Sequence, residues 1–318
     1  MQRGPSASHS GRVVVIHSER KAQRALARLA GPTLCPIEVL GEVPDAPEAC
    51  ADAIVIVDVA VARGRPELRS RPARAWIAVP SAADVPIEPD AVSALLAAGW
   101  DHVIAHPNPL AAEELLATTQ KILGGDCFGL DKYMSWGAAV STFQLDNARD
   151  RVDAVAQLAR DLMPAALPER VGSLVGVIAD ELLANAIYAA PVDEAGTRFR
   201  ARPADRRNER EASRPLSGRD AVTLRWATDA RYLALEVRDR WGSLDLASIG
   251  PRLAARARTR PEDGMGLPLA YACANQLVIG VASRQLTEII ALLDVRHKPT
   301  ELARSASFHA FTQAAAAS

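Results

Sequence analysis

Three short stretches of this chain carry residue types that do chemistry at useful spacings. The first is Asp180-Glu181-Leu182-Leu183-Ala184-Asn185. On a helix, Glu181 and Asn185 lie four apart and stack on one face about one turn from each other. Leu174, Ile178 and Leu182 then cover the buried side. A carboxamide oxygen ligates a hard cation such as Mg2+, and a neighbouring carboxylate orients or deprotonates a nucleophile. The second stretch is Val237-Arg238-Asp239-Arg240-Trp241-Gly242-Ser243. Asp239 sits where a strand runs out into a loop. A buried carboxylate there accepts a hydrogen bond from an exocyclic amine such as adenine's, at the place where guanine carries an oxygen. The third is Gly264-Met265-Gly266-Leu267-Pro268-Leu269, which opens a helix. Its glycines let the backbone approach a phosphate, the free N–H groups of the first turn face the anion, and Pro268 suits that turn. Each stretch also has an ordinary reading: polar helix neighbours, an Asp-Gly turn, a plain helix start.

In this order and spacing the three stretches resemble the boxes of the GHKL superfamily. Its Bergerat-fold ATP-binding domains occur in sensor histidine kinases, anti-sigma-factor serine kinases, gyrase-type ATPases and Hsp90-type chaperones. The resemblance spans 141–316 and implies an α/β two-layer sandwich with ATP and Mg2+ as cofactors. It implies that Asn185 is the Mg2+ ligand and Asp239 the adenine contact, with Gly242 in the first glycine box. Gly264, Met265, Gly266 and Leu267 would form the phosphate loop, and Glu181 would be the general base. The loop 243–263 would be the ATP lid, with Arg252, Arg256, Arg258 and Arg260 either reaching phosphates or solvated. The family pattern DxGxG is broken, because Trp241 and Ser243 flank Gly242 where two glycines are usual. None of the six histidines sits in a phosphoacceptor hairpin, so the layout is similar to the anti-sigma-factor kinases. That likeness implies phosphorylation of a protein partner on Ser or Thr, the partner being a sigma-factor regulator or another signalling protein. It also implies pairing as a homodimer.

The front half has its own candidate. Asp58 ends the run Ile54-Val55-Ile56-Val57, Ser81 follows the next strand, and His106-Pro107 forms a late turn. These features resemble a response-regulator receiver, which implies that Asp58 is the phosphoacceptor and Ser81 the hydroxyl residue. His106 stands in place of the family's lysine. The acid pair after the first strand is replaced by His17 and Ser18, with Glu19 out of register. Without that pair Mg2+ binds poorly, so the expectation is a pseudo-receiver. His102 and His106 flank a strand and are read as structural.

Alternating elements position these residues. In 12–123, strands at 12–16, 53–57, 75–79 and 102–105 alternate with helices at 19–30, 92–98 and 110–123. Repeated strand–helix units predict a doubly wound parallel sheet covered on both faces. The segment 124–140, with Phe128, Tyr133 and Trp136, is a candidate linker that packs on something. In 141–316 a strand at 141–145 precedes a helix over 147–163, with Val152, Val155, Leu158 and Leu162 facing the core. A longer helix at 169–189 follows. The polar stretch 193–220 reads as a solvated insertion, because its eight arginines are interleaved with six acids. Strands at 222–226, 232–237, 277–282, 288–295 and 308–311, with a helix at 268–276, complete an α/β sandwich.

Bulk properties narrow the function. A chain of 318 residues, 49% of them apolar, holds two ordinary domains. A net charge of −1 gives no general attraction to nucleic acid or membrane. The four cysteines form no CxxC pair, which fits a reducing compartment and argues against a zinc cluster. No apolar run of about 18 residues and no signal peptide is evident. The expectation is a cytoplasmic signalling regulator that binds Mg-ATP and phosphorylates a protein partner, with no membrane or nucleic-acid partner. The alternative is a non-catalytic scaffold built from two degenerate domains. A DNA arm in 198–219 is a weaker rival.

Overall fold

Runs of β-branched residues become buried strands in the front half. The computed structural model describes residues 11–80, 89–106, 110–165, 167–193, 214–255, 266–296 and 305–313. Strands β1 (Arg12–Ile16), β3 (Ala53–Asp58) and β4 (Ala75–Val79) are buried almost throughout. That is what a parallel sheet with both faces covered requires. With β2 (Ile37–Leu40) and β5 (His102–Val103) they form the parallel order β2-β1-β3-β4-β5. Helices α1 (Arg20–Ala30), α2 (Val59–Gly64), α3 (Pro89–Ala97) and α4 (Leu110–Gly124) connect them. Sequence reading misses β2, because this edge strand is only four residues long and half exposed.

The second half begins with β6 (Val140–Leu145), α5 (Asp150–Leu162) and α6 (Glu169–Ala184). The α6 helix runs on as a π turn, Asn185–Ala189. Strands β7 (Val222–Thr228) and β8 (Tyr232–Asp239), helices α7 (Leu246–Ala254) and α8 (Gly266–Cys273), and strands β9 (Gln276–Ala282), β10 (Leu286–Asp294) and β11 (Ser307–Gln313) follow. Their order is β11-β9-β10-β8-β7-β6, antiparallel except for β11 beside β9. The stretch 243–263 is not simply a loop, since α7 occupies part of it. Gly250 and Pro251 within α7 disguise it in the sequence, because both residues are poor helix formers. The Asp245 side chain starts α7 by accepting from the Ala247 amide at 3.2 Å.

Among the described residues both halves share one mixed sheet of eleven strands. The seam is an antiparallel pairing of β5 with β11, His102 opposite His309 and Val103 opposite Phe308. Strand alternation sends Val14, Ile16, Val55 and Val57 to one face and Val13, Val15, Ile54 and Ile56 to the other. On the first face a single apolar cluster unites α2, α3, α5, α6, α7 and α8. On the second face α1 and α4 cover the front strands, and the segment after α4 covers the back ones. That segment packs Cys127 and Leu130 against Tyr232, Ala234, Ile290 and Phe311, so it is a strap as well as a connection. Trp136 stays exposed.

On α5 the core face is Ala154, Leu158 and Leu162, while Val152 is 67% exposed. Val152 was expected inside; the helix begins at Asp150, and its apolar stripe runs at four-residue steps from Ala154. Val171–Ala189 is long and apolar enough to cross a membrane by length and composition. In the folded chain it buries Ile178, Ala179, Leu182, Leu183 and Ile187 against the sheet.

Candidate functional site

Asn185 sits where α6 changes its winding. Its own amide reaches back to the carbonyls of Glu181 and Leu182, and its carbonyl accepts from Ala190 at 2.9 Å, five residues on. The π turn ends the helix at Ala189. Asn185 and Glu181 are both half-buried on one helix face, as their spacing predicts.

Gly266, the first residue of α8, comes directly against this pair. A Cβ added at Gly266 would lie 2.4 Å from Asn185 Nδ2 and 3.0 Å from Glu181 Oε2. A side chain there would push those two side-chain ends aside. Leu267 is buried beside it in the core. The start of α8 thus lies next to a carboxamide and a carboxylate. Helix starts of this kind receive anions.

Asp239 ends β8 on the helix-covered face. Val237, Leu235 and Leu233, its neighbours at steps of two, belong to the same core cluster as α6 and α8. Burial pushes the Asp239 carboxyl up to about 6, opposed by the Trp241 amide, the Thr287 hydroxyl and the Gly242 amide. The Trp241 amide donates to Oδ1 at 2.8 Å. Thr287 stands directly opposite Asp239 across the β8–β10 pair, so both polar side chains face the helices. Sequence reading missed Thr287, because only the strand register brings it to Asp239.

Gly242 takes a left-handed φ of +55°, and a Cβ there would meet the Ala282 carbonyl at 2.1 Å. The loop after Asp239 is thereby pressed onto the β9–β10 hairpin. Ser243 Oγ donates to the Ala190 carbonyl at 2.5 Å, which ties this loop to the end of α6. The Trp241 ring carries the Arg219 guanidinium at 4.4 Å.

Two sequence stretches therefore converge on α6: Gly266 and Leu267 beside Glu181 and Asn185, and Asp239 to Ser243 beside the π turn. Gly264, Met265, Arg256, Arg258 and Arg260 lie outside the described residues, as do Ser81 and 194–213 of the Arg-rich insertion. Arg252 is exposed. Among the described residues no group of three or more His, Cys, Asp or Glu residues is placed to hold a metal ion. The single oxygen donor of Asn185 suits Mg2+, which keeps most of its waters and takes the rest of its shell from substrate phosphates.

In the front half Asp58 ends β3. Its carboxylate caps α2, accepting from the Ala60 amide at 2.7 Å, and the residue is 7% exposed. A cap of this type contributes about 1 kcal/mol. The β1–α1 turn offers no acid at His17 or Ser18, and Glu19 is exposed. His106 turns away into the seam. Its Nδ1 meets Glu114 and lies 3.2 Å from Ser307 Oγ, with all three groups buried.

Two buried polar networks went unforeseen. At the seam, His309 Nδ1 lies 3.3 Å from Thr118 Oγ1, and the His102 ring lies 5.7 Å from that of His309 and 4.8 Å from that of Phe311. Burial holds the His102 imidazole well below the usual range. Burial alone raises the Glu114 carboxyl, but neighbouring His106 outweighs it and brings it down to about 2. Under the strap, Glu236 and Glu288 are fully buried. Arg225 and Arg238 pair with them, and the amides of Gly129 and Leu130 donate to them at 2.9–3.1 Å. Burial and the adjacent Glu236 push Glu288 up to about 7. Lys121, nearly inaccessible, donates to the Tyr133 hydroxyl at 2.9 Å, and burial brings it down to about 8. For Glu236 and Glu288 the sequence signal is a charged position inside an apolar strand.

No protein-family model and no curated protein matches this chain.

Proposed function

We propose that the second half binds Mg-ATP between α6, β8 and α8, in the manner of the GHKL superfamily. One observation carries this reading: Gly266 packs directly against the side-chain ends of Asn185 and Glu181, residues more than a helix length away in sequence. A glycine-started helix facing a carboxamide and a carboxylate supports phosphate and cation recognition together. Asp239, a buried acceptor at the end of β8, supports recognition of the adenine amine.

We further propose that the chain is a cytoplasmic signalling regulator that phosphorylates a protein partner on Ser or Thr. Glu181 accepts the proton of the partner's hydroxyl as its oxygen attacks the terminal phosphorus of ATP, and ADP leaves. Asn185 would hold Mg2+, which when bound would neutralise charge on the phosphates. The Asp239 carboxylate orients the base, and the α8 amides orient the phosphates. The parallel order β2-β1-β3-β4-β5 and Asp58 at a strand end support a receiver-like front half. The occupied cap at Asp58 and the missing acids support a pseudo-receiver. A homodimer follows from the family likeness alone.

Titrating Mg-ATP against wild type and Asn185→Ala tests the reading. Binding by wild type that falls at least about tenfold in the variant, about 1.4 kcal/mol, supports it. Equal binding, or none by either, ends it. A second reading, a non-catalytic scaffold, is favoured by Trp241 in the first glycine box. Phosphate transfer from ATP to a co-purified protein rules that reading out.

A further inference from the structure

We infer that the front half is a mechanical part of this site: α3 sets the position of Gly266 against Asn185, acting through α7 and α8. The inference concerns regulation of the site and rests on the nucleotide reading above for its functional meaning.

The path is a series of direct contacts. On α3, Val92, Leu95 and Leu96 are buried to within 1%. On α7, Ile249 and Leu253 are buried in the same apolar cluster. Between these helices Gly250 permits backbone contact. A Cβ there would lie 2.5 Å from the Leu96 carbonyl oxygen and 3.4 Å from its carbonyl carbon. The obstacle is main chain, which cannot swing aside as a side chain tip does. The two helices are thus set at a fixed separation, with no soft layer between them.

The next contacts carry that position onward. Helix α7 packs on α8, and α8 packs on α6. Leu267 and Ala270 of α8 are buried in the cluster that holds Leu96 and Ile249. The first residue of α8 is Gly266, pressed onto Asn185 and Glu181. Helix α7 also lies in sequence between Ser243 and Gly266, the two stretches that converge on α6. Displacing α3 therefore displaces the segment that joins them, because close-packed interiors pass strain on. Coupling between two sites is reciprocal. A load on α3 changes nucleotide affinity, and bound nucleotide tightens α3 against α7.

Gly250→Ala in the full chain tests this. Leu96→Ala provides a second perturbation that opens a cavity in place of a clash. Amide hydrogen exchange is followed over 89–97, 246–254, 266–273 and 181–190 without ligand, and Mg-ATP is titrated alongside. Faster exchange that spreads from α3 and α7 into 266–273 is expected in both variants, with Mg-ATP binding weakened about fivefold or more. Mg-ATP added to wild type should slow exchange in 89–97. Loosening confined to 89–97 and 246–254, with 266–273 and ATP affinity unchanged, overturns the inference. If wild type binds no ATP while exchange still spreads, the coupling stands and the nucleotide reading falls. If Gly250→Ala does not fold, Leu96→Ala decides by the same exchange pattern.

Discussion

Adding one methyl group at Gly266 perturbs the candidate site at its closest contact. In Gly266→Ala the new Cβ starts 2.4 Å from Asn185 Nδ2 and 3.0 Å from Glu181 Oε2. Ordinary contact needs about 3.5 Å, so the carboxamide must retreat by about 1 Å or α8 must lift. Alanine in a helix gains up to about 1 kcal/mol of propensity over glycine, and less at a first position. Overpacking a close contact costs about 1–3 kcal/mol. The clash meets side-chain ends that can swing aside, so fold stability changes little, and its cost falls on the two side chains assigned to cation and nucleophile. If about 1.4–2.8 kcal/mol of it appears in binding, Mg-ATP affinity drops about 10- to 100-fold. Calorimetric titration of wild type, Gly266→Ala, Asn185→Ala and the double variant reads this out. In the Asn185→Ala background the obstructing amide is gone, so the alanine at 266 should lose most of its effect. The same loss in both backgrounds, or an affinity within twofold of wild type in a folded single variant, refutes the reasoning.

Three pH effects follow from buried groups. The Asp239 carboxyl, raised by burial to about 6, accepts from adenine more strongly when ionised, because protonation leaves only its carbonyl oxygen to accept. Mg-ATP affinity should therefore rise from pH 5 to pH 7, by at most about tenfold, while a flat profile in wild type, or an equal rise in Asp239→Asn, contradicts the assignment. His102 is kept neutral by burial, so the unfolded chain takes up the proton first. Its contribution is complete above about pH 6.5 and declines by up to about 1.4 kcal/mol per unit below it. Urea unfolding between pH 6.5 and 5 should show wild type losing stability relative to His102→Phe, and parallel curves exclude the effect. Glu288 acts in the opposite sense: its carboxyl is raised to about 7, so its contribution is complete below about pH 4.5 and is lost as pH rises through 7. Glu288→Gln should gain on wild type from pH 5.5 to 8 in the same assay, and an unchanged difference refutes it. Because the two groups oppose each other in one window, each variant must be compared with wild type at the same pH.

Local features of the fold were legible in the sequence, and distant pairings were not. Glu181 and Asn185 share a helix face because four-residue spacing dictates it, and the β-branched runs at 12–16 and 53–57 are strands because nothing else buries them as well. Gly266 opening a helix was readable from its glycines and Pro268, but its approach to Asn185 was not, because it depends on how α8 packs on α6. Thr287 becomes a partner of Asp239 only through the β8–β10 register. The joining of both halves into one sheet rests on two residue pairs, His102 with His309 and Val103 with Phe308, and no periodicity reports such a seam. Helix α7 escaped because Gly250 and Pro251 argue against a helix, and Gly250 is there to let Leu96 come close. The buried Glu236 and Glu288 sit in apolar strands where charge reads as exposure, whereas cross-strand arginines and strap amides satisfy them, and the Tyr133 hydroxyl accepts from buried Lys121.

A structure of the full chain with Mg2+ and a non-hydrolysable ATP analogue tests the central claim most directly. The account predicts the adenine amine on the Asp239 carboxylate near Thr287, the triphosphate against the amides at Gly266, and the metal on the Asn185 oxygen, with Trp241 beside the base. An analogue bound elsewhere, or a cleft filled by the Trp241 ring with no nucleotide in it, contradicts the account.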